Sequence, residues 1–448
     1  MPIARILATL VATATAATLV SAAPAVAAPT FDPGPRHDGA AWLTGELTDG
    51  VIHNEQYGFD DFGLSIDVAL GLDAAGQKPK VVNAIVRALA KNVDTYTTSG
   101  TSIYAGATAK ALLLAAEQGK NPRSFGGVDL VSRLEGRVAT AAPITGRIQD
   151  AFDPADPYGG DFANVIGQAF AAGGLSLAKS PKARSVVRFL IEQQCSKGYF
   201  RLGFTFDKTA ADQSCDGAPR AERTADTDAT AFALLALTEV KQTAATKGAA
   251  KRAVAWLEGK QRADGSFGGG TATEASNANS TGLAGWALAA WGVLKPATRA
   301  GIWVRGLQVQ SANPCAGKLN GETGAIAYDA EAYAKGQTSG IGKKDSDQWR
   351  RASAQALPVL RVVPRATGVF TATAPRTAAL GDFFTVRLTG VAPGQAVCLV
   401  EGGAATALPS GRHGRTSIKL VVRQRTGLHH YQVWLGSTRR DVTVRITG

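Results

Sequence analysis

The stretch RAVAWLEGKQRADGSF at residues 252–267 decides the fold, because its pattern recurs along the chain. Its aromatic-aliphatic pair, Trp256-Leu257, is followed by Gln261 and then by a glycine turn that leads to another aromatic residue. Two other segments share that pair and spacing, namely Phe189-Leu190 with Gln194 and Trp303-Val304 with Gln308. A pattern that repeats at fixed spacing predicts an architecture built from repeated units.

A second recurring element lies between these segments. It is an Ala- and Leu-rich run that is apolar on almost every face, and a helix of that kind is buried on all sides. The alternating segments carry Lys and Arg on one face only, which predicts an outer layer. We therefore expect six helical hairpins closed into a two-layered α/α toroid, with an open solenoid as the alternative. The apolar runs begin near Asp67, Gly106, Asn164, Asp228, Asn279 and Thr323, and the amphipathic segments include 81–91, 184–194, 251–261 and 347–362.

These repeats resemble the terpenoid cyclase and protein prenyltransferase superfamily. Residues 252–267 look like the QW repeat of squalene and oxidosqualene cyclases, with Phe267 where that motif has Trp. The resemblance covers roughly residues 38–362 and implies an α/α toroid. The glutamine and the aromatic residue of this repeat stabilise the fold. The amide can satisfy backbone groups at a helix end, and the ring fills a gap between hairpins.

One segment, Asp226-Thr227-Asp228-Ala229-Thr230-Ala231, resembles the acid motif of class II terpene cyclases. The resemblance implies that Asp228 would protonate an alkene or epoxide with Asp226 beside it, although Ala229 stands where the family has a third aspartate. Two other interpretations remain open. The two aspartates could cap a buried helix, because carboxylates accept its first backbone N–H groups. They could also belong to a ligand-contacting rim whose members begin the apolar runs: Asp67, Asn164, Asp228 and Asn279.

Other chemistries find little support in the sequence. The histidines are His37, His53, His413, His429 and His430, none of them near the Asp226 segment, so we expect no metal and no cofactor. Phosphate-binding and serine-hydrolase motifs are missing from the sequence. An inverting glycosidase would need two carboxylates roughly 6.5–9.5 Å apart. The residues considered for that role are Asp60, Asp61, Asp67, Asp161, Asp228 and Glu322.

The cysteines predict one disulfide and leave a second open. Cys195 and Cys215 bracket a loop of about 20 residues, and a bridge there would contribute on the order of 3 kcal/mol and hold the loop over one mouth of the ring. Cys315 and Cys398 would link two domains if they paired, but Cys398 could equally be a small core residue.

The hydrophobic pattern changes at the end of the chain. From about residue 366 helical spacing gives way to alternation, as in Phe384, Val386 and Leu388, which predicts an immunoglobulin-like β-sandwich over 366–448. This pattern is similar to that of Ig-like stalks of actinobacterial surface proteins. Ten Lys and Arg against three Asp and Glu give this segment a net charge of +7. That charge suggests contact with an anionic envelope polymer rather than with nucleic acid, and ordinary solubilising charge is the equal alternative.

The start of the chain predicts secretion. A basic start at Met1 to Arg5, an apolar stretch over 6–20 and Ala25-Val26-Ala27 form a signal-peptide pattern, with cleavage after Ala27. The toroid would then occupy 28–365. No other segment reaches the roughly 20 apolar residues that span a bilayer.

Together these features predict a secreted protein that holds an apolar or oligomeric ligand in the toroid cavity without catalysis. Transcobalamin-type carriers resemble this layout. The alternatives are a cyclase that uses Asp228 as its acid, a glycan-acting hydrolase and a structural spacer.

Overall fold

The computed structural model describes residues 31–448, apart from 158, 311, 409–410 and 424. The signal-peptide segment 1–27 lies outside the described residues. Thirteen α-helices precede the last eight strands: α1 Gly34–Gly45, α2 Phe62–Ala74, α3 Pro79–Thr97, α4 Ala105–Glu117, α5 Leu130–Glu135, α6 Val165–Leu177, α7 Ala183–Glu192, α8 Thr227–Glu239, α9 Ala244–Lys260, α10 Ala278–Ala290, α11 Leu294–Gly306, α12 Ala330–Ser339 and α13 Lys343–Ala356.

Six helices form a closed inner layer. Helices α2, α4, α6, α8, α10 and α13 contact one another in that order, and α13 returns to α2. Small residues let them approach closely, because a Cβ on Gly71 would lie 2.4 Å from the Ala354 carbonyl and one on Gly282 would lie 2.3 Å from Ala356 Cα. The Ala- and Gly-rich composition of the apolar runs therefore reflects backbone-to-backbone packing, and the predicted toroid is confirmed.

The repeated glutamines join successive helices of the outer layer, which is formed by α1, α3, α5, α7, α9 and α11. The side-chain amide of Gln194 donates to the carbonyls of Gly198 and Ala249, and that of Gln261 donates to Gly265 and Pro296. Gln308 closes the ring, since its amide donates to Pro35 at the start of α1 and to Gly324. Each bond pair satisfies one turn carbonyl and one carbonyl of the next outer helix.

The turn glycines of these repeats share one backbone conformation. Gly198 and Gly265 have φ near +100°, where only glycine is comfortable, and a Cβ there would lie 2.6 Å and 2.5 Å from a carbonyl oxygen of the next outer helix. The glycine of the sequence repeat is thus required both by its dihedral angle and by the close approach of the neighbouring helix.

The sixth hairpin differs from the sequence prediction. No helix starts at Thr323, and the segment 347–362, predicted to be outer, begins within α13 and lies in the inner layer. Arg350 and Arg351 gave it an amphipathic pattern, but these side chains form ion pairs with Glu46 and Asp61 at 2.6 Å. Charged residues that pair with distant acidic groups made an inner helix look like a surface helix.

Short strands also lie in the connections of the ring. They form hairpins and bridges before or between the helices: β1 Leu47–Thr48, β2 Val51–Asn54, β3 Phe59–Asp61, β4 Thr98–Ser99, β5 Ser102–Ile103, β6 Phe200–Arg201 and β7 Ala225–Asp226.

The C-terminal strands form a two-sheet sandwich, as predicted. One sheet has the order β13-β10-β8 and the other β12-β11-β14-β15-β9. Alternate residues such as Val386, Val433 and Val444 point into the shared core. The strands are β8 Thr371–Thr373, β9 Thr377–Ala379, β10 Phe383–Thr389, β11 Val397–Glu401, β12 Ala404–Leu408, β13 Ser417–Val421, β14 Gly427–Leu435 and β15 Thr438–Thr447.

A covalent bond joins the sandwich to the ring. Cys315 and Cys398 form a disulfide, so Cys398 is a buried residue that is also a cross-link. Gln310 adds polar contacts between the domains, since its amide donates to the Gly394 carbonyl and its carbonyl accepts from Ala396 N–H. Within the described part of the chain, every helix is too short or too polar to cross a membrane.

Candidate functional site

Side-chain caps begin four of the inner helices. Asp61, Asn164, Asp226 and Asn277 each accept a hydrogen bond from the backbone N–H three residues further on, at 2.7–3.1 Å. These caps satisfy N–H groups that an inner helix would otherwise bury without a partner. Capping thus accounts for Asp226 and Asn164.

Asp67 and Asn279 have other roles. Asp67 is the sixth residue of α2 and forms an ion pair with Lys110 at 2.6 Å, with both side chains largely buried. Asn279 lies two residues beyond the cap of α10, and its amide nitrogen donates to Gln355 Oε1 at 2.8 Å. The predicted rim residues therefore do not gather around one ligand position: Asp67 is engaged with α4 and Asn279 with α13.

Asp228 is the second residue of α8 and does not cap the helix. Its Oδ1 is buried and has no hydrogen-bond partner among the described residues. Burial, and then the neighbouring Asp226, raise the pKa of Asp228 to about 6, against a hydrogen bond with the Ser280 side chain that lowers it. Burial also raises the pKa of Asp226, although backbone N–H groups at the helix start oppose the effect. A substantial part of the Asp228 population is consequently protonated in mildly acidic solution.

A cavity of about 500 Å³ opens beside these aspartates. Its walls come mainly from apolar side chains and from threonines of the surrounding loops, and its carboxyl groups are the buried Asp226 and the partly buried Asp228 and Glu222. Ile166 and Leu202 line it together with Phe204 and Phe206. A concave, mostly apolar site with a few polar groups is the usual form of a small-molecule site.

The loop that carries Phe204 and Phe206 is held by a disulfide and by a buried arginine. The predicted disulfide between Cys195 and Cys215 is present and closes it. Arg201 is fully buried beneath the loop, where its guanidinium donates to Gln193 Oε1 at 2.7 Å and to the Gln213 carbonyl at 3.0 Å. This wall of the cavity is therefore built by covalent and charge-assisted bonds, while the Phe206 ring itself remains 84% exposed.

The glycine segment 268–270 packs directly against the two aspartates. A Cβ on Gly270 would lie 2.3 Å from Asp226 Oδ2, and one on Gly269 would lie 3.1 Å from Asp228 Oδ2. Three consecutive glycines at 268–270 are visible in the sequence, but nothing there connects them to α8. Sequence reasoning also missed Ser280, whose hydroxyl reaches Asp228 from the next inner helix.

The centre of the ring is almost filled. The Phe170 and Phe232 rings meet edge to face at 5.2 Å, and with Leu113 and Trp286 they leave a cavity of only about 40 Å³. At its far end burial, with Glu239 nearby, raises the pKa of Glu117 to about 8. The space available to a ligand near Asp228 is thus displaced from the ring axis toward the third, fourth and fifth hairpins.

The carboxylates considered for a hydrolase are mostly engaged. Asp161 forms ion pairs with Arg147 and Lys208 at 3.1 Å and 2.8 Å. Among the described residues, no group of three or more His, Cys, Asp and Glu side chains could hold a metal ion. Further pairs tie Asp60 to His53, Asp61 to Arg351, Asp67 to Lys110, and Glu322 to the Trp42 indole.

Comparison with solved structures returns several distant matches. The chain is similar to a protein from Actinoplanes, with 19% identity, a TM-score of 0.47, and coverage of 74% of this chain and 99% of that one. It is also similar to the type II terpene cyclase MstE from Scytonema, with 14% identity, a TM-score of 0.47, and coverage of 73% and 96%. A third is the unsaturated glucuronyl hydrolase from Bacillus sp. GL1, with 11% identity, a TM-score of 0.45, and coverage of 72% and 94%. The toroid itself is established by the order in which the six inner helices contact one another. No family model matches the sequence, and no curated protein does either.

Proposed function

We propose that this chain is a secreted protein that binds an apolar small molecule beside α8 and uses neutral Asp228 as a proton donor to it. The observation that carries the proposal is the unpartnered Oδ1 of Asp228 in a buried carboxyl group, next to a mainly apolar cavity. A carboxylic acid kept neutral by its surroundings is a suitable Brønsted acid near its own pKa. The two disulfides suit an oxidising compartment.

The proposed step needs an alkene or epoxide within reach of the Asp228 carboxyl group, which lines the cavity. The O–H bond of Asp228 breaks, a new bond forms from that proton to an alkene carbon or to the epoxide oxygen, and the Asp228 carboxylate remains. The Ser280 hydroxyl stabilises that carboxylate by its hydrogen bond. A C–H bond next to the cationic carbon then breaks, its electron pair forms a new alkene, and a proton returns to the Asp228 carboxylate directly or through solvent water. The protein is thereby regenerated and no second reactant is consumed.

The test uses geranylgeraniol and its terminal epoxide as probes with the purified full chain. We expect a rearranged or cyclised product whose rate falls as pH rises above about 6, because ionised Asp228 has no proton to give. Asp228→Asn should abolish the product while retaining ligand binding. Asp226→Asn is the matched control, since an asparagine still accepts the cap hydrogen bond. Removing the Asp226 charge lowers the pKa of Asp228, so this variant should stay active in acidic solution and lose activity at a lower pH than the unsubstituted protein. Equal activity of Asp228→Asn and the unsubstituted protein would refute the acid role.

A second candidate is binding without chemistry. Seven large hydrophobic side chains are exposed on connections that enter the inner helices, at the end of the ring where the cavity opens. Such a concentration of apolar surface favours an apolar ligand whether or not it reacts. Native mass spectrometry of the secreted protein that finds an unaltered bound molecule, with no product from either probe, would favour this candidate. The residues are Tyr57, Phe59, Tyr104, Phe152, Phe162, Leu202 and Phe206.

A further inference from the structure

The sandwich exposes one sheet face of unusual composition, which we call the β10 face. It consists of the outward residues of β10 and of its two neighbours, which the strand register brings to the same side. Phe383 lies opposite Val421, Thr385 opposite Lys419, and Arg387 opposite Ser417. The complete set is Thr371, Thr373, Phe383, Thr385, Arg387, Thr389, Ser417, Lys419 and Val421, all exposed to solvent with the ring in place.

The face carries cations without carboxylates. Arg387 and Lys419 have no acidic partner among the described residues, whereas Arg439 on the other sheet pairs with Asp441 at 2.8 Å. Because Lys419 lies opposite Thr385, it is a diagonal neighbour of Arg387 on the same side of the sheet. Two cations on neighbouring strands, neither of them paired with a carboxylate, suit repeated anionic groups better than a single ion.

An aromatic ring and a row of hydroxyls complete the surface. The Lys419 ammonium lies 4.0 Å from the centre of the Phe383 ring, and that side chain is 57% exposed. The β10 residues from Phe383 to Thr389 extend over about 20 Å at 3.4 Å per residue. An exposed ring offers a flat apolar surface to a sugar, and threonine and serine hydroxyls both donate and accept hydrogen bonds.

We propose that the β10 face binds a linear anionic glycan, with Arg387 and Lys419 on its acidic groups and Phe383 against a sugar ring. The net charge of +7 on residues 366–448 supports this choice, since it raises the local concentration of any polyanion. The proposal does not depend on what the ring binds.

The test measures binding of the full chain to alginate, a linear glycan with a carboxylate on each sugar. Neutral dextran and polyglutamate are the comparison polymers. Arg387→Gln with Lys419→Gln should weaken alginate binding about tenfold or more at low salt, and added salt should weaken binding by the unsubstituted protein. The charge-matched control is Arg376→Gln with Arg445→Gln, which removes two exposed cations from the other sheet and should change affinity less than about twofold.

Phe383→Ser separates glycan recognition from simple charge attraction. It should weaken binding to alginate several-fold and leave binding to polyglutamate unchanged, because only the sugar contacts the ring. Equal loss in the two double variants would overturn the proposal in favour of unspecific charge. Binding to phosphatidylglycerol vesicles in preference to alginate, or self-association through this face, would likewise overturn it.

Discussion

Replacing Asp228 by asparagine should stabilise the ring at neutral pH. In the folded protein, burial and Asp226 raise the pKa of Asp228 from its ordinary 3.8 to about 6, so ionisation is less favourable there than in the unfolded chain. At about 1.4 kcal/mol per pH unit, ionised Asp228 costs at most about 3 kcal/mol of unfolding free energy. Asparagine cannot ionise, and it keeps nearly the same volume and an acceptor for Ser280.

The sign of the pH dependence follows from proton linkage. Below pH 3.8 both states hold the proton and the Asp228→Asn variant should gain little. Between pH 3.8 and about 6 only the folded state keeps the Asp228 proton, so the unfolding free energy falls as pH rises. Above about pH 6 the folded protein carries the full destabilisation of the ionised carboxylate. The advantage of the variant should therefore grow over this interval and then level off.

Urea unfolding followed by tryptophan fluorescence measures this effect, since six of the seven tryptophans precede the sandwich and report on the ring. The control is Asp207→Asn, because hydrogen bonds from Thr209 lower the pKa of that exposed carboxyl and its stabilising effect is lost as pH falls. It should show no gain at neutral pH. A stability loss for Asp228→Asn at pH 7.5 that matches its loss at pH 4 would contradict the reasoning.

Three further perturbations test the architecture. Gln308→Ala removes two buried hydrogen bonds that close the ring and should cost about 2–3 kcal/mol in urea unfolding; a loss under 0.5 kcal/mol, roughly a surface effect, would contradict that role. Gly270→Ala places a Cβ against Asp226 and should destabilise the ring. The control Gly248→Ala, within α9, should stabilise the ring by up to about 1 kcal/mol. A Gly270→Ala variant that is more stable than Gly248→Ala would be inconsistent with the packing. Cys398→Ser opens the loop of 83 residues that the disulfide closes, and it should lower the unfolding free energy of the sandwich by about 4 kcal/mol. Calorimetry should then show a lower transition temperature, and an unchanged temperature would exclude a stabilising cross-link.

Much of the fold was predictable because its determinants are local and repeated. Gln261 with its glycine turn marks where an outer helix ends, and the all-apolar runs mark inner helices, whatever their neighbours are. The prediction failed at α13, where Arg350 and Arg351 are paired with acidic residues about 300 positions earlier in the chain. Ion pairs that distant leave no local pattern.

The candidate site likewise combines features that depend on local sequence with features that depend on tertiary contacts. The sequence alone determined that Asp226 starts a buried helix, that Asp228 follows it, and that Cys195 and Cys215 bracket a loop nearby. Tertiary structure alone decided that Asp226 is the cap, while Asp228 keeps a buried oxygen without a partner. The physical reason is that a pKa and a cavity depend on groups brought together from separate hairpins, such as Ser280 and the glycines at 268–270, whereas a helix start depends on the few residues that form it.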